Sequence, residues 1–255
     1  MNRSFNLTSC VIAIVFVTLV GVACNQGNTG SDTPAANTAA SNTTTTAPAS
    51  TTSTASTKDI SGSYTVTGQN EGGGGNYGGD LTVTKRDEVY QFSWKSGDKT
   101  YDGVGVQAGN SVGVSFTEGA DGTGCGVVLY QIESNGTLNG KAGYWGVNQA
   151  ESETATRTSG TDLEGGYDIK GSTPDGKSYE GKLSVKKQGA GYAFQWNTGN
   201  TLNGFGIRGA NMVAVGIGGS KCGFVGYDIQ ADGSLQGKWG SAGSTDVGTE
   251  TAKKK

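Results

Sequence analysis

From Asp59 onward, apolar and polar residues alternate in short runs. Tyr64 and Val66 alternate with Ser63, Thr65 and Thr67; Leu81 and Val83 alternate with Thr82 and Thr84. Tyr90, Phe92 and Trp94 alternate with Gln91, Ser93 and Lys95. A period of two marks strands with one face turned to a core and the other to solvent. Turn sequences separate the runs, among them Ser96-Gly97-Asp98, Ala108-Gly109-Asn110, Ser134-Asn135-Gly136, Asp175-Gly176 and Asp232-Gly233. Asn-Gly and Asp-Gly supply the left-handed backbone of tight hairpins, so neighbouring strands are predicted to be antiparallel. No stretch carries a helical period of useful length.

The pattern occurs twice. Gly62-Ser63-Tyr64 answers to Gly165-Gly166-Tyr167, and Tyr77-Gly78-Gly79-Asp80-Leu81-Thr82-Val83 to Tyr179-Glu180-Gly181-Lys182-Leu183-Ser184-Val185. Tyr90-Gln91-Phe92-Ser93-Trp94 matches Tyr192-Ala193-Phe194-Gln195-Trp196. Asn139-Gly140-Lys141 matches Gln236-Gly237-Lys238, and Glu153-Thr154-Ala155 matches Glu250-Thr251-Ala252. So many matches in register identify two homologous units, 59–157 and 158–255, whose length differences fall mostly between Phe116 and Cys125.

Each unit holds about eight strand-like runs, the number that closes into a small barrel without exposed edges. The fold class expected is therefore all-β, with two tandem homologous antiparallel barrels. A two-sheet sandwich per unit and one larger sheet system shared by both units are the alternatives. The 46 glycines suit sharply coiled strands, where Gly opposite an aromatic leaves room for the ring. Trp94 and Trp196 occupy equivalent inward positions and would either line a cavity or fill the interior as core.

Residues before Asp59 follow different rules. Arg3 precedes an almost wholly apolar run, Val11 to Val22, which ends at Ala23-Cys24. A basic start, a short apolar stretch and small residues at the cut make a secretory signal. The run is shorter than the ~20 residues of a spanning helix, which makes a retained anchor the weaker alternative. Val20-Gly21-Val22-Ala23-Cys24 resembles a bacterial lipobox, although Gly21 stands where that pattern usually has Leu. The resemblance implies a signal peptide over 1–23 and acylation of Cys24, with palmitate-type chains tethering the protein to the bacterial cell envelope. Asn25 is not the aspartate that retains many such proteins at the inner membrane, which favours the outer membrane. Residues 24–58 form a Ser/Thr/Ala-rich tether without an aromatic. Such composition cannot bury enough apolar surface to order itself, and ~30 residues of it reach roughly 30 Å.

Cys10 leaves with the signal, so Cys125 and Cys222, each followed by Gly, remain at equivalent places in the two units. In an oxidising compartment they could form one disulfide between the units, or stay as buried thiols. Cys125, Val127 and Leu129 alternate with the inward Gly126, Val128 and Tyr130, and Phe224 does the same after Cys222. A strand apolar on both faces needs a cover, and the sister unit is the nearest one.

Histidine is absent. That removes Ser-His and Cys-His catalysis and most zinc sites, and neither a metal nor a cofactor is expected. Asp59, Asp162, Glu153 and Glu250 lie near the ends of the units, where solvated caps and turns account for them, so no enzyme is expected. A net charge of −3, with its one basic cluster at Lys253-Lys254-Lys255, speaks against nucleic acid. The aromatic and glycine motifs are similar to tandem modules of exported bacterial proteins, some labelled fibronectin-binding, and the strand pattern looks avidin-like or lipocalin-like. That resemblance implies β modules and brings no ligand set. The function expected is a membrane-anchored lipoprotein presenting two modules to an extracellular protein, a glycan or the envelope. The alternative is a carrier of small apolar ligands in the barrel interiors.

Overall fold

The computed structural model describes residues 58–119 and 121–255. The expected signal peptide over 1–23, the expected acylation at Cys24 and the expected tether as far as residue 57 lie outside them. Five strands open the fold: β1 (Gly62–Gln69), β2 (Asn76–Arg86), β3 (Val89–Ser96), β4 (Lys99–Ala108) and β5 (Ser111–Glu118). Eight follow: β6 (Gly126–Ile132), β7 (Leu138–Tyr144), β8 (Glu151–Thr161), β9 (Glu164–Ser172), β10 (Ser178–Gln188), β11 (Gly191–Asn197), β12 (Thr201–Arg208) and β13 (Met212–Ile217). The last three are β14 (Gly223–Ile229), β15 (Leu235–Ser241) and β16 (Gly248–Lys254). A single 3-10 turn at Glu71–Gly73 is the one helical element among the described residues.

The strands form two closed antiparallel barrels, as the alternation predicts, rather than sandwiches. The first barrel runs β1-β16-β15-β14-β5-β4-β3-β2 and the second β10-β11-β12-β13-β6-β7-β8-β9. These barrels are not the two sequence units, which corrects the expectation that each copy closes on itself. After β5 the chain crosses from the first barrel into β6 of the second, and after β13 it crosses back into β14. The boundary placed at 157/158 falls inside β8, whose hairpin with β9 belongs wholly to the second barrel.

Homology explains why the exchange is possible. Phe116 of β5 pairs with Gly223 of β14, while Ile217 of β13 pairs with Gly126 of β6. Gly126 and Gly223 are equivalent residues, so each edge finds in the other copy the register its own copy would have offered. Cys125 and Cys222 mark the two crossovers and are joined in a disulfide, with Cα atoms 5.9 Å apart.

Alternation divides the side chains as expected. Tyr64, Leu81, Phe92, Val114 and Tyr227 fill the first barrel; Tyr167, Leu183, Phe194, Val215 and Tyr130 fill the second. Ile60 and Leu163 plug equivalent ends, held by hydrogen bonds that Tyr64 Oη and Tyr167 Oη donate to their carbonyls at 2.6 and 2.8 Å. The outward apolar residues of β6, Val127 and Leu129, meet Val104 and Val106 of β4. Phe224 of β14 likewise meets Phe205 and Ile207 of β12. Each strand that changes barrels is thus covered on both faces.

Two predictions follow from the exchange. Replacing Cys125 and Cys222 together by Ser frees a loop whose ends are 97 residues apart. In the chain-entropy relation a loop near that length is worth about 4.7 kcal/mol, so chemical denaturation should show a loss approaching that figure. A chain carrying only β1–β8 would leave Val127 and Leu129 uncovered as a monomer. It is expected to form a two-fold dimer that repeats the exchange and is cross-linked through Cys125, detectable by light scattering and non-reducing electrophoresis.

Candidate functional site

The inward face of β16 reads Gly248, Glu250, Ala252, and that of β8 reads Glu151, Glu153, Ala155. Glu250 and Glu153 therefore project into the barrels at equivalent positions, each only 8% exposed. This overturns their placement as solvated residues at the ends of the units. Asp59 and Asp162 do lie at the surface.

Each buried carboxylate collects three side-chain donors. Glu250 Oε1 accepts from Trp94 Nε1 at 3.0 Å and from Tyr227 Oη, and its Oε2 accepts from Tyr77 Oη at 2.9 Å. Glu153 repeats the set: Oε1 accepts from Trp196 Nε1 at 3.2 Å and from Tyr130 Oη, Oε2 from Tyr179 Oη at 3.1 Å. Burial raises the pKa of both carboxyl groups above the usual carboxylate range, and the three donors only partly offset it. The hydroxyls of Tyr227 and Tyr130 are pushed far up, first by burial and then by the adjacent carboxylate, so they remain donors.

Around this shared floor the barrels differ. In the first, Tyr101 and Phe116 face inward from β4 and β5, Trp239 from β15. Strand pairing puts Leu202 and Ile217 at the corresponding places in the second barrel, and Ala142 answers to Trp239. Both barrels share the stacked rings of Phe92–Trp94 and Phe194–Trp196, with centroids 5.5 and 5.7 Å apart. The first barrel extends this stack outward: Trp94 to Phe116 at 5.4 Å, then Phe116 to Tyr101 at 6.0 Å edge-on. Across the mouth, Tyr77 meets Trp239 edge-on at 6.3 Å.

Small residues make these rings possible. A Cβ on Gly223 would lie 2.5 Å from the Phe116 ring, and one on Gly248 would overlap the Trp239 indole. In the second barrel Glu151 stands where Gly248 does, and its carboxyl pKa is raised by burial and by the charge of Glu153. Tyr144 instead leans on Gly126 there, at 2.5 Å from where a Cβ would sit, and its hydroxyl is pushed up to about 12 by burial.

The aromatic end of the first barrel forms an open-mouthed cavity of about 400 Å³. Tyr77, Trp94, Tyr101, Phe116 and Trp239 wall it, and Glu250 lies at its floor. Asn70, Asp80, Lys95, Ser96 and Lys99 form its rim. The sequence-predicted pair thus separates: Trp94, 9% exposed, both stacks in the core and lines this cavity, whereas Trp196, 4% exposed, is packed among core residues. The described residues contain no group of three or more His, Cys, Asp or Glu side chains able to hold a metal. Cys125 and Cys222 are consumed in the disulfide. A volume of this size, apolar walls and a few convergent polar groups are what a small-molecule site requires.

The acidic floor escaped sequence reasoning, yet its signal was present. Glu-Thr-Ala recurs at the same register in both copies, which puts a charge on the inward side of a period-two strand. Such a residue is either paired inside or functional. No family model, curated protein or solved structure matches this chain.

Stability should report on the buried carboxyl groups. The folded state holds their protons more tightly than the unfolded state, whose carboxyl groups titrate near 4.5. Their contribution is complete below that pH and is lost as pH rises through the raised folded values. Glu250→Gln cannot titrate, so the decline of its melting temperature above pH 4.5 should be shallower than that of the unsubstituted protein. Thermal unfolding followed by circular dichroism across pH 4 to 8 measures this.

Proposed function

We propose that this chain is an envelope-tethered binding lipoprotein whose first barrel captures a small ligand, or the end of a larger one, at its aromatic mouth. The second barrel supports it through the exchanged strands. The observation that carries this reading is the difference between two otherwise equivalent barrel ends. Core filling alone would favour the same solution in both copies. Instead, three positions that are Leu202, Ile217 and Ala142 in one are Tyr101, Phe116 and Trp239 in the other, around a cavity of about 400 Å³. The rings enlarge a wall rather than close the space.

An anchor at Cys24 followed by a polar tether suits this role. A binding module on a stalk reaching roughly 30 Å samples the surrounding envelope without leaving it. Binding, not catalysis, fits the floor, because the oxygens of Glu250 are held by Tyr77, Trp94 and Tyr227 rather than presented to a nucleophile.

Two measurements test the reading. Ligand-observed NMR with a fragment library, on a soluble form beginning after Cys24, should find binders that the triple variant Tyr101→Leu, Phe116→Ile, Trp239→Ala loses. Those replacements are the residues of the second barrel, so a variant that still folds and binds equally well would place ligand capture elsewhere. Cys24→Ala is expected to move the protein from the membrane fraction to the soluble fraction and to abolish labelling by a palmitate analogue.

A further inference from the structure

Given the pocket proposed above, its ring walls and its charge narrow the ligand class. Phe116 is turned 54° from Trp94 and 88° from Tyr101, and Tyr77 lies 72° from Trp239. Rings set at such angles wall a space on several sides, where parallel rings would stack and fill it. The Trp94 N–H and the hydroxyls of Tyr77 and Tyr227 are given to Glu250. The Trp239 N–H is shielded from solvent beside Gly248, so that indole contributes ring surface rather than an open donor. Aromatic faces carry negative charge density and attract cations, Trp most strongly, and more so where water is excluded.

Charge is divided between the cavity and its outside. Lys95 has no ion-pair partner among the described residues, but it follows the inward Trp94 on β3 and takes the outward register, exposed. Asp80, its cross-strand neighbour, is also exposed and holds Lys255 at 2.7 Å. On the inward register of β4, Lys99 is neutralised by Glu118 at 3.1 Å. Glu250 at the floor forms no ion pair with any lysine or arginine among the described residues. A cation in the mouth would therefore face an acid with no counter-charge of its own, and an anion would be repelled by it. The kind of cation follows from hydrogen bonding. Glu250 offers about four acceptor positions, of which Trp94, Tyr227 and Tyr77 take three. A primary ammonium brings three donors and finds too few acceptors, whereas a fully methylated one has none to satisfy.

We propose that the mouth of the first barrel is an aromatic cage for a quaternary ammonium group. Its methyl groups lie against Tyr77, Trp94, Tyr101, Phe116 and Trp239, and its charge sits above Glu250 without displacing the three donors. The second barrel has the same floor but Leu202 and Ile217 in place of two of the rings, and so lacks the cage. The group is carried either by a free small cation or by a lipid headgroup.

Isothermal titration of the soluble form with tetramethylammonium, choline, glycine betaine and benzyltrimethylammonium tests this. The neutral isostere of choline, 3,3-dimethylbutan-1-ol, and the anion benzoate are the controls. The expected result is saturable binding of at least one quaternary ammonium ion, with a change in tryptophan fluorescence, and binding of the isostere weaker by about tenfold or more. Trp239→Ala should weaken the cation about tenfold. Phe116→Ile, which installs the residue of the second barrel, should weaken it too, and guards against a Trp239 variant that fails to fold. Glu250→Gln should weaken the cation and not the isostere. Leu202→Ala, in the second barrel, should leave affinity unchanged. Co-sedimentation with phosphatidylcholine vesicles but not phosphatidylglycerol vesicles, lost in Trp239→Ala, assigns the site to a lipid headgroup; binding of the free ions without it assigns the site to small cations. Equal affinity for choline and its neutral isostere, or binding of benzoate alone, overturns the cation assignment and keeps the pocket. Cation binding undiminished in both Trp239→Ala and Phe116→Ile overturns the assignment to this mouth. No binding by any probe or vesicle, with the melting temperature intact, overturns the cage, and the fragment screen then decides for the pocket separately.

Discussion

Pairing of β5 with β14 and of β13 with β6 is the contact on which the rest of this molecule depends. Without it neither barrel closes, because each takes strands from both copies. The exchange also explains the unusual strands that carry it. β6 and β14 are apolar on both faces, one inside a barrel and one against the neighbouring barrel. A strand of this kind in an isolated barrel would expose Val127, Leu129 or Phe224 to water. The disulfide between Cys125 and Cys222 ties the two crossover points together, where a single bond constrains both.

Duplication supplied two equivalent interiors, and the structure shows them lined differently. The carboxylate with two tyrosines and a tryptophan is common to both, so it belongs to the architecture that preceded any divergence. In an eight-stranded barrel the interior is just wide enough for side chains to fill it. A buried acid there is tolerable only when its oxygens are hydrogen-bonded, and three aromatic donors achieve this without adding a second charge. What distinguishes the first barrel is the outer layer above that floor. Glycines 223 and 248 let Phe116 and Trp239 lie against the backbone, and the rings then surround space instead of occupying it.

The proposed pocket follows from this layering. The core below Trp94 is filled, so specificity has to come from the outer rings, the polar rim and Glu250. The second barrel keeps the floor but has an added acid at Glu151, Leu202 and Ile217 in place of two of the rings, and Tyr144 leaning on Gly126.

Strand positions, their antiparallel pairing, the inward aromatics and the closed barrels could be read from the chain itself. The reason is that alternation and turn residues act over a few neighbours. The apolar outer faces of β6 and β14 even announced that something covers them. Which copy completes which barrel was beyond the sequence, because homologous strands offer the same register to either partner and only the path of two short crossovers decides between them. The depth of Glu153 and Glu250 was half visible, as a charge at an inward register. Whether that charge meets water or three donors depends on residues from β2, β3, β14 and β16 in one barrel and β6, β8, β10 and β11 in the other. Those residues meet only when a closed sheet brings distant segments around a common axis.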